Sequence, residues 1–280
     1  MHHSEIPVNN YTVSLSLSKT GSVNIAPVSP DSYRDQPDNF QTDALLNNLW
    51  GFYPHIFLSC MPMRKYEDSY QHKGLRKKLM DLLREKGISD ENVVKAMNNI
   101  PRHYFLDSAF DKIAYEDRAF PISEGQTISQ PYTVAYQTQL LQVKPNDKIL
   151  EIGTGSIYQA TVLAEMGAKV FTIERQKKLF ENTKQFIFRK QYPNLKFFYG
   201  DGYEGLQTYA PFDKVIITAA APFIPPKLIE QLKTGGKMVI PVDEDHHQRM
   251  LRITKNADGS MSEEAFENFS FVPMLSGRNG

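Results

Sequence analysis

Between Lys148 and Ala220 apolar residues gather in short unbroken runs, KILEIG, KVFTIE, KFFYGD and KVIITAA, the earlier ones separated by helical segments. Runs of that length with no polar side predict strands buried on both faces, and therefore a doubly wound, mostly parallel α/β sheet. Upstream the period changes. In GLRKKLMDLLREKGI (Gly74–Ile88) the leucines at 75, 79, 82 and 83 form a helical stripe, with Gly87 as its C-cap. SDENVVKAMNNI follows as a second helix, with Ser89 as N-cap, Asp90 and Glu91 in the first turn and Pro101 as its stop. An N-terminal helical part thus precedes the sheet. After it, Gly235-Gly236 lead into KMVIPV, RMLRITK reads as another strand, and the tail FENFSFVPML as one more at the sheet's end.

The first 65 residues have a different character and are expected to form an extension outside a 66–280 domain. Thr12–Ser18 alternate as a short strand, and KTG turns it into SVNIAPV. A Pro/Asp/Ser/Asn-rich stretch, SPDSYRDQPDNFQTD, then reads as loop or disorder. Ala44–Met63 carry no formal charge, but Asn47, Asn48, Gly51, Pro54 and His55 oppose a membrane span. MHHSEIPVNN lacks the basic start of an export signal. Translation starting at Met61 or Met63, with the preceding residues an over-extended reading frame, is the expectation.

Composition narrows the function less than the pattern does. A chain of 280 residues with 41% hydrophobic content can bury a core, and 32 basic residues balance 32 acidic ones. With no basic stripe, neither nucleic acid nor stable membrane association is expected. The lone Cys60 excludes an internal disulfide and fits a cytoplasmic setting, and the seven scattered histidines give no metal-ligand spacing.

Glu151-Ile152-Gly153-Thr154-Gly155-Ser156 closes a strand and opens a helix. Glycines there let the backbone turn tightly, and the helix N-terminus offers free N–H groups. A dinucleotide fingerprint needs a third glycine where Tyr158 stands. The E-x-G-x-G form suits S-adenosyl-L-methionine instead. Glu174 closes the second strand about 20 residues later, where an acid accepts ribose hydroxyls; its alternative is a solvated carboxylate paired with Arg175 or Lys177. Asp201-Gly202 end the third strand, where they would meet adenine or form a plain turn. Three such features at successive strand ends favour the cofactor.

The run YEDRAFPISEGQTISQPYTVA, with LEIGTGS-YQA, DGYEGL, ITAAAP-IPP and LKTGGKMVIPV, resembles the protein-L-isoaspartate O-methyltransferase family from about Tyr66 to the FVPML tail. GQTISQP is the discriminating element, and IPRHYFL fits as well. The resemblance implies a Rossmann-like S-adenosylmethionine-dependent methyltransferase that methylates the free α-carboxylate of L-isoaspartyl residues in damaged proteins and peptides. It assigns the active site to Ser129, the substrate loop to Gln126 and Thr127, and the cofactor to Glu151, Gly153, Gly155, Glu174, Asp201 and Gly202. A monomer is expected. Such a carboxylate is already ionised at neutral pH, so the serine orients and does not attack. Read without the resemblance, Ser129 ahead of Gln130-Pro131 is a helix cap. The chain departs from the family pattern at Ile157, where glycine is expected: the side chain either joins the core or crowds the cofactor. A cofactor-binding module without turnover, and a methyltransferase for small molecules or tRNA, are the competing readings.

Overall fold

The computed structural model describes residues 66–244 and 247–280, and before them the backbone strands β1 (His3–Val8), β2 (Tyr11–Leu17) and β3 (Val23–Pro27). The chain divides into two units, Met1–Met63 and Arg64–Gly280. In the first, β1, β2 and β3 form an antiparallel sheet in that order, with Leu17 opposite Val23. The hairpin read at Thr12–Ser18 is therefore present, and β1 is an addition to it. The loop, the uncharged stretch and the two internal methionines read between residues 29 and 63 lie outside the described residues.

The second unit opens with α1 (Tyr70–Glu85) and α2 (Glu91–Asn99). Ser69 starts α1 through a capping box with His72. Gly87, at φ +95°, ends it in the left-handed conformation that favours glycine. The buried stripe of α1 is Arg76, Leu79, Met80 and Leu83, while Leu82 is exposed. The cap of α2 is Asp90, whose Oδ1 accepts the Asn92 N–H at 2.9 Å, and not Ser89. The backbone N–H groups of Ser89 and Asp90 both donate to Gln139 Oε1 (2.7 and 2.9 Å), which anchors the turn to a later helix.

A small hairpin follows, β4 (Phe120–Pro121) with β5 (Thr127–Ile128), and then α3 (Pro131–Leu141). The main sheet is built from β6 (Lys148–Ile152), β7 (Lys169–Glu174), β8 (Leu195–Tyr199), β9 (Phe212–Ile217), β10 (Leu232–Glu244), β11 (His247–Lys255) and β12 (Met261–Phe269). Helices α4 (Tyr158–Glu165), α5 (Lys177–Asn182) and α6 (Pro226–Glu230) lie between them in sequence. The spatial order is β12-β11-β10-β9-β6-β7-β8, with β6 to β10 parallel and β11 antiparallel to both its neighbours.

Strand alternation decides what each face buries. Ile149, Val170, Ile216 and Val239 pack with Leu141 of α3 and Leu163 of α4. Leu150, Ile152, Phe171, Ile173 and Ile217 pack on the other face with Leu228 of α6. Each such side chain contributes on the order of 1.5–3 kcal/mol when removed from water. β6 is central, with β7 and β8 on one side and β9 and β10 on the other. The chain reverses direction of travel across the sheet there, which opens a crevice at the strands' C-terminal ends.

The tail corrects the sequence reading. FENF does close the edge strand β12, as read, but that strand ends at Phe269 and the FVPML segment leaves the sheet. Its backbone pairs instead with the loop after β9: Ala220 N–H donates to Val272 O (2.8 Å) and Met274 N–H to Ala220 O (2.6 Å). Pro273, with no N–H to give, sits between these bonds.

Candidate active site

The crevice is shaped first by the turn after β6. Gly153 (φ +98°) and Gly155 (φ +50°) take left-handed conformations. A Cβ on Gly153 would lie 2.6 Å from Thr218 Oγ1, a hydroxyl already 2.9 Å from the carbonyls of both Ile152 and Gly153. A side chain at Gly153 would therefore push β6 and β9 apart where the crevice begins.

The strand-end acids separate into three roles. Glu174 is 4% exposed; its Oε2 accepts the Gly155 N–H (2.9 Å) and its Oε1 the Gln176 N–H (2.8 Å). It pairs with neither Arg175 nor Lys177 among the described residues; Arg175 reaches instead to the carbonyls of Gly277 and Ser276. Each Glu174 oxygen keeps an acceptor lone pair beyond these bonds. Asp201 faces the tail: its Oδ1 accepts the Tyr203 N–H (2.9 Å) and its Oδ2 the Gly277 N–H (2.7 Å). Glu151 is fully buried on the face of Ile149, and neither carboxyl oxygen has a hydrogen-bond partner among the described residues. Burial pushes its carboxyl up to about 8, against a smaller opposing effect of Thr172, so it is largely protonated at neutral pH.

The hairpin of β4 and β5 brings the other wall. Its tip turns through Glu124 (φ 62°) and Gly125 (φ 64°), and Ile122 N–H donates to Gln126 O at 2.8 Å. Ser129 follows β5 directly. It does not cap α3: the Tyr132 N–H is taken by Asp117 Oδ1 at 2.8 Å, and the position before Pro131 is Gln130, held through its Nε2 by Asp117. The Ser129 hydroxyl makes no hydrogen bond among the described residues. Its carbonyl accepts from Arg102 Nη2 at 2.9 Å.

These parts line one cleft that opens to solvent. Gln126, Thr127, Ser129, Gly153, Gly155, Glu174 and Gly202 all line it. Glu151 and Asp201 do not. Glu151 is buried in β6, and Asp201 anchors Gly277, two residues beyond the tail segment that lines the cleft. That segment, Val272–Leu275, went unread in the sequence because its apolar residues have a strand's composition. Gly202 lets the two close, since a Cβ there would strike the Ile152 side chain and approach Met274 Cε to 3.4 Å. Asp117 and Arg102 also went unread. Arg102 stands in the run IPRHYFL, whose match to the family was the only signal it gave.

Ile157 takes the first of its two alternatives. Its side chain is 7% exposed, packs with the core that includes Ile149 and Leu163, and does not line the cleft. Its backbone is at φ +74°, a conformation in which a β-branched residue is strained.

A glycine turn at the sheet's reversal point, an acid at the end of the next strand and a cleft between them define an α/β transferase that grips a nucleoside-type donor. The cradle fits such a group: a Cβ added at Gly155 would meet nothing nearer than Ile122 Cδ1 at 3.9 Å, and Glu174 keeps acceptor capacity. Residues 74–279 match the family model of protein-L-isoaspartate(D-aspartate) O-methyltransferase, and the chain belongs to that family. It is 55% identical over 214 residues to a protein-L-isoaspartate O-methyltransferase of Cytophaga hutchinsonii, covering 76% of this chain and 96% of that one. Its likeness to the Flavobacterium johnsoniae protein of the same name is 51% over 213 residues, 76% of this chain and all of that one. A solved Plasmodium falciparum relative, a putative protein-L-isoaspartate O-methyltransferase in complex with S-adenosyl-L-homocysteine, aligns with a TM-score of 0.63 at 26% identity. That alignment covers 74% of this chain and 99% of the relative.

Proposed function

We propose that this chain transfers a methyl group from S-adenosyl-L-methionine to the free α-carboxylate of L-isoaspartyl residues in damaged proteins and peptides, with Ser129 orienting the acceptor oxygen. When bound, the donor supplies a methyl on a sulfonium, a group that needs no acid to leave. Gly153 and Gly155 give it room, and Glu174 has lone pairs for hydroxyls beside the turn. Gln126 and Thr127 line the same cleft beside Ser129.

The observation that carries the reading is the uncommitted hydroxyl of Ser129. It stands where the donor cleft meets an outer groove that Ser129, Tyr132, Phe269 and Phe271 line. A carboxylate arriving through that groove is ionised at neutral pH, so no general base has to act. What the protein supplies is alignment of oxygen, methyl carbon and sulfur, an effect worth about 7–11 kcal/mol when geometry is right. A neutral hydroxyl donates one hydrogen bond and leaves the carboxylate's other lone pairs free to attack. A guanidinium clamp on the same oxygens would withdraw that electron density.

Methyl transfer to an isoaspartyl peptide and to its normal aspartyl twin tests the reading. Transfer to the first alone supports it; equal transfer, or donor binding with no transfer, refutes it. Ser129→Ala is expected to lose most of the turnover while donor affinity and Tm stay unchanged. The reading includes a monomer in the cytoplasm working without nucleic acid or stable membrane attachment. The balanced charge supports the absence of nucleic-acid and acidic-membrane binding, and no helix of the described residues is long and apolar enough to cross a membrane.

A further inference from the structure

The strongest unexplained feature outside the cleft is a buried cation. Arg102 has no accessible surface, and no carboxylate of the described residues forms an ion pair with it. Its Nε donates to Ala114 O at 3.1 Å and its Nη2 to Ser129 O at 2.9 Å. Its Nη1 finds no partner among the described residues. The guanidinium carbon stands 4.9 Å from the ring centroid of Tyr158, the first residue of α4 and itself a wall of the cleft. Burial lowers the guanidinium's pKa from its ordinary value, against smaller opposing effects of Tyr158 and Asp117. A buried cation held without an ion pair is costly to keep. The charge itself therefore gives this residue little reason to be an arginine.

Its bonds give one. Ser129 lies between β5 and α3, and its peptide is the loop's point of contact with the hydroxyl that matters. Asp117 fixes the following residues, Gln130 and Tyr132, but not Ser129 itself. Arg102 fixes Ser129, and stacks its other face on the helix that opens directly after the glycine turn. We propose that Arg102 is a positioning residue, its guanidinium bridging Ser129 O and the Tyr158 ring so that the acceptor-orienting hydroxyl keeps its distance from the donor turn. The inference rests on the orienting role of Ser129 and adds the device that sets its place.

Kinetics of Arg102→Met and Arg102→Lys on an isoaspartyl peptide test it, with melting temperature and S-adenosylmethionine Kd measured alongside. Arg102→Met is expected to lower kcat about 10²-fold, the size of effect that an ångström-scale misplacement produces. KM and the donor Kd should move less than about threefold, within what small pocket adjustments give. Arg102→Lys keeps the charge and one donor to Ser129 O, so it should recover about tenfold of that loss. Adding Arg102→Met to Ser129→Ala should cost nothing further, because both remove the same alignment. Wild-type kcat in either arginine variant overturns the proposal, as does a loss that appears only as weaker donor binding, or effects that multiply in the double variant. If Arg102→Met does not fold, Arg102→Lys decides, and an unchanged kcat there is a refutation. Should Ser129→Ala alone keep full turnover, the role of Ser129 fails and this inference falls with it; a loss in Ser129→Ala beside an unchanged Arg102→Met removes the arginine alone.

Discussion

Replacing Glu151 by glutamine isolates a cost that the wild-type fold carries at neutral pH. The carboxyl is fully buried in β6, and burial moves it from an ordinary 4.5 up to about 8. Below pH 4.5 the group is protonated folded and unfolded, and stability is unaffected. As the pH rises from 4.5 towards 8 the unfolded chain ionises Glu151 while the folded chain does not, so the unfolded state is increasingly favoured; above 8 the loss levels off. At about 1.36 kcal/mol per pH step, the full loss is on the order of 5 kcal/mol. Glu151→Gln has the shape of the protonated acid and no charge to lose. Urea unfolding should therefore find the variant close to wild type at pH 5 and more stable by several kcal/mol at pH 8, with equal m-values. The variant should also bind S-adenosylmethionine as wild type does, within about twofold, because Glu151 does not line the cleft. A stability difference that does not vary with pH would refute the burial argument. A large loss of donor affinity would refute the placement.

Two further outcomes follow from the cleft's surroundings. Ile157→Gly relieves the strain at φ +74°, about 1–2 kcal/mol, but gives up a buried side chain worth about 1.5–3 kcal/mol. A net loss of about 1 kcal/mol with unchanged donor Kd is expected, and a tightened Kd by calorimetry would show that the isoleucine crowds the cleft after all. Asp201→Ala should weaken donor binding several-fold by releasing Gly277, and deleting residues 276–280 should weaken it to the same extent without adding to the aspartate variant. Additive effects in that pair would mean that Asp201 touches the donor directly.

What could be read from the sequence was what is local. Strand runs declare themselves by period, Gly87 and Gly153 by backbone conformations few other residues adopt, and Glu174 by its distance from the turn. What could not be read depends on bonds between distant positions. Asp117 caps a helix that starts 14 residues later, and Arg102 holds a carbonyl 27 residues away. The adjacent Ser129-Gln130-Pro131 gives no hint that its cap comes from elsewhere, which is why capping by Ser129 is the natural local reading. The tail misleads in a similar way, since FVPML has a strand's composition and only the loop at Ala220 draws its backbone off the sheet.

Glu151 stands away from the cleft lining, and that place was legible. Side chains alternate along a strand, so in KILEI the residues at 149 and 151 share a face and those at 150 and 152 share the other. Ile149 belongs to the face under α4, and period two alone places Glu151 beneath that helix as well. The motif that linked Glu151 to the cofactor records adjacency in sequence, and adjacency on a strand reverses direction at each step. Gly153 escapes this because its contribution is backbone, and Glu174 because it is the last residue of its strand, where its carboxylate meets the N–H groups of the turns at the crevice. An acid one or two residues inside a strand and an acid at its end therefore have different surroundings, one buried with its carboxyl pushed towards the neutral form and the other accepting N–H bonds at the turns.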